Sequence, residues 1–230
     1  MVEPRIIYAK EAEYRLNHIN EEYIEDYIRT ILPESKPYLQ ELECYAAEYH
    51  IPIVEKEVAQ LLKVLIKIHK PKRILEIGTA IGYSALIMAE AAGDDCLITT
   101  IERRGDMIKL ANRNIENTMY KNNIKILHGD AEDILPKLEN KYDFIFLDAA
   151  KGQYLYFFDY CMDLIQLGGL IVSDNVLFKG MVASDELVVR RKKTIVKRLR
   201  AYLKHINHLK GYTSCIIPIG DGVALTYREE

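Results

Sequence analysis

The chain has 230 residues, of which 49% are hydrophobic and 28% charged, and its formal net charge is −3. This is the composition of a soluble globular domain, and the absence of any apolar run of about 18 residues excludes a membrane-spanning helix. Residues 1–20 are polar and mixed in charge, without the apolar region of a signal peptide. The cysteines Cys44, Cys96, Cys161 and Cys215 form no Cys-x-x-Cys pair and read as reduced, mostly buried thiols of a cytoplasmic protein. Charge is unevenly spread: residues 1–60 hold thirteen acids and six bases, whereas residues 190–210 hold nine Lys or Arg and no acid. That segment implies a local anionic partner.

In chain order, Asn20 is positioned to cap a helix over 21–30, which Pro33 ends. Further helices are predicted over 36–49 and 55–69, bounded by Pro52 and Pro71. From Arg73 strands and helices alternate. The predicted strands cover 73–77, 97–101, 124–127, 144–147 and 170–172. The helices between them cover 83–92, 106–117, a short piece ending near 138, and 154–165. A long basic helix follows over 187–208, then two strands, 214–219 and 223–227, joined by the turn Gly220-Asp221-Gly222. The expected fold is α/β: a doubly wound, Rossmann-like sheet of about seven strands ending in an antiparallel hairpin. We read one domain, with residues 1–70 as a helical cap and 71–230 as the core.

Acids close the strands: Glu76, Glu102, Asp130, Asp148 and Asp174 beside Asn175. The carboxyl ends of such strands converge on one crevice. There the loop Gly78-Thr79-Ala80-Ile81-Gly82 lets backbone approach a ligand. Glu102, about 20 residues beyond the loop, suits a pair of ribose hydroxyls. Ala80 stands where a dinucleotide loop needs its middle glycine, and Glu76 repels a pyrophosphate but attracts an amine. S-adenosylmethionine therefore fits better than NAD. Asp148, Asp174 and Asn175 form an oxygen-only set suited to Mg²⁺ or another hard divalent cation. Lys151, near both cation and sulfonium, is the candidate general base.

The segments Leu75–Ser84, Phe146–Lys151 and Ser173–Leu177 together resemble the cation-dependent O-methyltransferases, which include catechol and caffeoyl-CoA O-methyltransferases. The resemblance runs from about Glu21 to Tyr227 and implies a class I methyltransferase fold. By resemblance, Val54, Glu76, Gly78, Thr79 and Ser84 hold the methionine part of the cofactor, and Glu102 the ribose. Asp130 and Ala131 flank the adenine. Asp148, Asp174 and Asn175 hold the cation, and Lys151 is the base. The family implies a homodimer.

For the substrate, the run Arg190-Arg191-Lys192-Lys193, continuing through Lys197, Arg198, Arg200 and Lys204, offers phosphate contacts. The segment Asp174-Asn175-Val176-Leu177-Phe178-Lys179-Gly180 resembles the bacterial branch that methylates 5-hydroxyuridine at the tRNA wobble position, whose vicinal oxygens chelate a metal as a catechol does. The expected reaction is therefore O-methylation of tRNA, with a small catechol-type acceptor as the alternative. Tyr154 and Tyr156 are candidates for stacking on a flipped base. An NAD-dependent oxidoreductase and a non-enzymatic RNA-binding module are the competing classes.

Overall fold

A computed structural model describes residues 19–229; most of the N-terminal stretch expected to lack a signal peptide lies outside the described residues. Helices α1 (Glu22–Ile31), α2 (Pro37–Glu48) and α3 (Lys56–His69) precede the first strand. Then come β1 (Arg73–Ile77), α4 (Tyr83–Ala92), β2 (Leu97–Glu102), α5 (Gly105–Glu116), β3 (Ile124–His128) and α6 (Ala131–Ile134). The chain continues through β4 (Tyr142–Leu147), α7 (Tyr154–Leu164), β5 (Ile165–Ser173), α8 (Lys193–Ile206), β6 (Tyr212–Ile217) and β7 (Val223–Arg228).

The seven strands lie in the order β3-β2-β1-β4-β5-β7-β6. The first five are parallel, and β7 runs antiparallel to both β5 and β6. The central strands are apolar on successive residues, as burial on both faces demands. Alternation sends Ile74, Phe144, Phe146 and Val172 into a core with helices α2 to α5. Leu75, Ile77, Ile145 and Leu147 enter a second core with α7 and α8. Three layers result, and the strand ends that carry the acids lie along one edge of the sheet.

Several local expectations are corrected. Asn20 does not cap α1; its side-chain amide donates to the Pro218 carbonyl at 2.9 Å. Strand β5 begins at Ile165, before Gly168-Gly169, and its pairing with β4 is irregular between Tyr142 and Phe144. The basic helix starts at Lys193, after 3-10 turns over Asp185–Leu187 and Arg190–Lys192. Val188 and Val189 favour extended backbone there, and four successive cations oppose the positive end of a helix. Cys96 and Cys161 are buried, but Cys44 and Cys215 are exposed.

Candidate active site

The loop after β1 is shaped by close contact with the neighbouring strand end. Gly78 has φ +109°, and a Cβ there would lie 2.0 Å from the Asp148 carbonyl oxygen, so only glycine passes. Gly78 and Thr79 both donate backbone N–H to the Ile101 carbonyl, at 3.0 and 3.3 Å. Ala80 takes a left-handed φ of +44°. Its N–H donates to Glu102 Oε2 at 3.0 Å, while Glu102 Oε1 accepts from Arg104 N–H at 2.8 Å. Each oxygen keeps a lone pair for a further donor.

Glu76 is fully buried. Parallel register sets it opposite Thr100, whose hydroxyl donates to Glu76 Oε2 at 2.5 Å and lies 2.6 Å from the Thr79 hydroxyl. Among the described residues Glu76 Oε1 has no hydrogen-bond partner. Burial pushes the Glu76 carboxyl up to about 7; the nearby Ser84 hydroxyl and the Thr100 hydrogen bond oppose this, and the charges of Asp148 and Glu102 reinforce it. A cationic donor would remove both penalties, the missing partner and the missing counter-charge.

The second half of the site stands where β4 and β5 end. Leu147 and Ser173 are paired across these strands, so Asp148 and Asp174 emerge side by side. Asp148 N–H donates to the Ile77 carbonyl at 3.0 Å and Asp174 N–H to the Leu147 carbonyl at 3.0 Å. The Tyr154 hydroxyl spans the same two strand ends, donating to the carbonyls of Asp174 at 2.9 Å and Leu147 at 3.3 Å. Burial raises both carboxyls. Lys151 opposes the rise at Asp148, whereas the Asp148 charge adds to it at Asp174, which reaches about 8. Asn175 follows with φ +53°. Two neighbouring acids and an amide, all hard oxygen donors in a poorly solvated corner, fit a hard divalent cation. Among the described residues no cluster of three or more His, Cys, Asp or Glu is placed to hold a metal, so any cation here relies on the amide, water or substrate to complete its shell.

Both halves open into a cavity of about 920 Å³. Gly78, Glu102, Asp130 and Ala131 line one part of it, and Asp148, Lys151, Asp174 and Asn175 another. Val54, Glu76, Thr79 and Ser84 do not line it and are buried; Ile53 and Glu55, on either side of Val54, do line it. Tyr154 is 1% exposed and cannot stack on a base, while Tyr156 is on the surface, its hydroxyl 3.3 Å from that of Tyr160.

Some site residues were not anticipated. Thr100 holds Glu76, and its direct opposition to Glu76 across the parallel pair is the signal that could have found it. Asp221 and Lys179 also line the cavity, yet Asp221 reads in sequence only as a turn residue. The basic segment divides. Arg190, Arg191, Lys193 and Lys197 are exposed, and Arg198 donates to the Gly152 carbonyl at 3.1 Å, next to Lys151. Arg200 instead turns inward onto the carbonyls of Met181 and Val182 and onto Asp185.

Residues 30–229 match the O-methyltransferase family profile. Caffeoyl-CoA O-methyltransferase 3 of Nicotiana tabacum is 30% identical over 211 residues, 86% of each chain. A provisionally named caffeoyl-CoA O-methyltransferase from Staphylococcus aureus superposes with a TM-score of 0.81 at 35% identity, covering 90% of this chain and 97% of its own. The O-methyltransferase TomG of Streptomyces achromogenes, solved with S-adenosylmethionine, gives a TM-score of 0.80 at 25% identity, covering 90% of this chain and 96% of its own.

Proposed function

The chain belongs to the O-methyltransferase family, and from that premise we propose that it methylates one of two vicinal oxygens on an aromatic acceptor of the catechol or caffeoyl-CoA type, using S-adenosylmethionine and a divalent cation. The observation that carries this reading is the pair of mutually repelling acids, Asp148 and Asp174, at adjacent strand ends above one cavity.

S-adenosylmethionine would supply the methyl group on an electrophilic sulfonium. A divalent cation would lower the pKa of the acceptor hydroxyl. The protein's own work is placement. Gly78 leaves room for the methionine end of the cofactor, and Glu76, buried behind the cavity wall with Oε1 unpartnered among the described residues, would meet its ammonium group once the loop shifts to admit it. Glu102, its oxygens anchored on Ala80 and Arg104, would receive the ribose hydroxyls, and Asp130 and Ala131 would border the adenine. Asp148, Asp174 and Asn175 would hold the cation, and Lys151 Nζ would take the acceptor's proton. Aligning acceptor and methyl group in a poorly hydrated crevice is the main source of rate.

One observation favours a second acceptor within the same chemistry. Helix α8, which carries the exposed Lys193 and Lys197 and directly follows the exposed Arg190 and Arg191, packs on the turn that carries Lys151, and its Arg198 is bonded to the Gly152 carbonyl there. This supports 5-hydroxyuridine in tRNA, whose phosphates such a surface would meet. Purified protein assayed with S-adenosylmethionine and Mg²⁺ on caffeoyl-CoA, on catechol and on tRNA rich in 5-hydroxyuridine decides between them. Cation-dependent turnover on a small acceptor, without salt-sensitive tRNA binding, supports the first reading. Turnover confined to tRNA replaces it with the second, and turnover on none of them refutes both.

A further inference from the structure

The turn between β6 and β7 reaches back to the strand end that carries Asn175. Val176 N–H donates to the Gly222 carbonyl at 2.9 Å and Leu177 N–H to the Asp221 carbonyl at 3.0 Å. The Asp221 carboxylate accepts from the Lys179 N–H. The segment held in this way is strained. Asn175, Phe178 and Lys179 have φ of +53°, +47° and +55°, and only the next such residue, Gly180, is a glycine. Three non-glycine residues in the left-handed region persist only where the surroundings hold them.

The contact is also tight. A Cβ on Gly222 would sit 2.4 Å from Leu177 Cγ, so the turn packs directly on the segment. Asp221 lines the same cavity as Asp174, Asn175 and Lys179. The far side of the segment is tied separately, by Arg200 to the Met181 and Val182 carbonyls. Asn175 therefore lies between the fixed end of β5 and a bend whose N–H groups are taken up by Asp221 and Gly222.

We propose that Asp221 is a positioning residue for the cation corner: by accepting from Lys179 N–H it holds the left-handed bend that keeps Asn175 beside Asp148 and Asp174. It acts through Asn175, and the proposal rests on the cation reading of that corner. Groups that orient metal ligands typically change metal affinity by about 10–100-fold when removed.

The test uses Mn²⁺ as the probe, its free concentration read by electron paramagnetic resonance in the presence of S-adenosylhomocysteine, so that no turnover is needed. Asp221→Ala should weaken Mn²⁺ binding by about tenfold or more while S-adenosylhomocysteine affinity stays at the wild-type value. Asp221→Asn, which keeps an acceptor oxygen, should restore most of the Mn²⁺ affinity. Equal Mn²⁺ affinity in Asp221→Ala and wild type overturns the proposal, as does an Asn variant as weak as the Ala variant. If Asp221→Ala does not fold, Asp221→Ser, whose oxygen falls short of the Lys179 amide, carries the same expectation. Wild-type protein that binds no Mn²⁺ would defeat the cation reading itself. Binding abolished in Asp174→Ala but untouched by Asp221→Ala would defeat only the role of Asp221.

Discussion

Replacing Glu76 by glutamine should change how the ligand-free protein's stability responds to pH. The Glu76 carboxyl moves from 4.5 to about 7 on folding because it is buried with one oxygen unpartnered among the described residues. A carboxyl with a raised folded pKa binds its proton more tightly in the folded state. Its stabilising contribution is thus fully present below the unfolded value and is lost as pH rises through the folded value. At about 1.4 kcal/mol per unit, the shift amounts to roughly 3 kcal/mol in all, of which roughly 2 kcal/mol is lost between about pH 5 and pH 7. Asp148 and Asp174 are raised too, so both proteins lose stability with pH, and the informative quantity is the difference between them. Urea unfolding of wild type and Glu76→Gln across that range measures it. The wild type should fall more steeply by the stated amount, and, on the proposed pairing of the cofactor amine with ionised Glu76, its affinity for S-adenosylhomocysteine should rise over the same interval. Parallel stability curves would refute the assignment of this titration to Glu76.

The remaining predictions concern the same cavity. Asp174→Ala should abolish cation-dependent methyl transfer while calorimetry shows S-adenosylhomocysteine still bound; undiminished activity with a chelator present would remove the cation from the reaction. Gly78→Ala should cost about 3 kcal/mol or more, because the new Cβ strikes the Asp148 carbonyl at 2.0 Å and the backbone is left-handed; an unchanged melting temperature contradicts the contact. Tyr154→Phe should cost about 1–2 kcal/mol through loss of its bonds to Asp174 and Leu147, seen as a lower urea midpoint. Changing Arg190, Arg191, Lys193 and Lys197 to glutamine should flatten the salt dependence of tRNA binding by about 0.7–0.9 for each phosphate no longer neutralised; an unaltered slope leaves the small acceptor as the only reading.

The sheet was readable in the sequence where the signal was local. β1 announces itself through Ile74, Leu75 and Ile77 ahead of a glycine loop, and the acids at strand ends point to one crevice from their sequence positions alone. What escaped depended on distant pairing. Nothing near Val223 says that β7 inserts between β5 and β6, and so nothing near Asp221 says that its turn meets Asn175. The predicted strand over 170–172 falls short of β5, which runs through Gly168 and Gly169 from Ile165 with an irregular register. The basic run looked helical throughout because its apolar periodicity continues upstream of Lys193, but charge at the helix start and two valines moved the boundary. Arg200 and Lys197 read as equals; only packing turns the first inward onto carbonyls.

The insertion of β7 has a consequence for how the protein is made. Among the described residues β6 pairs with no strand except β7, so a nascent chain that has emerged only through Ile217 has nowhere in the sheet to put that strand. The turn that grips Val176, Leu177 and Lys179 is likewise still inside the ribosome. Synthesis proceeds at about 5–20 residues per second. The part of the cavity lined by Gly78, Glu102, Asp130 and Asp148 is therefore made well before the part lined by Asp174, Asn175 and Asp221. During that interval the free edge of β5 is exposed to pairing with another chain, which makes the final strand a safeguard against aggregation, while the turn before it, through Gly220 and Asp221, lines the cavity.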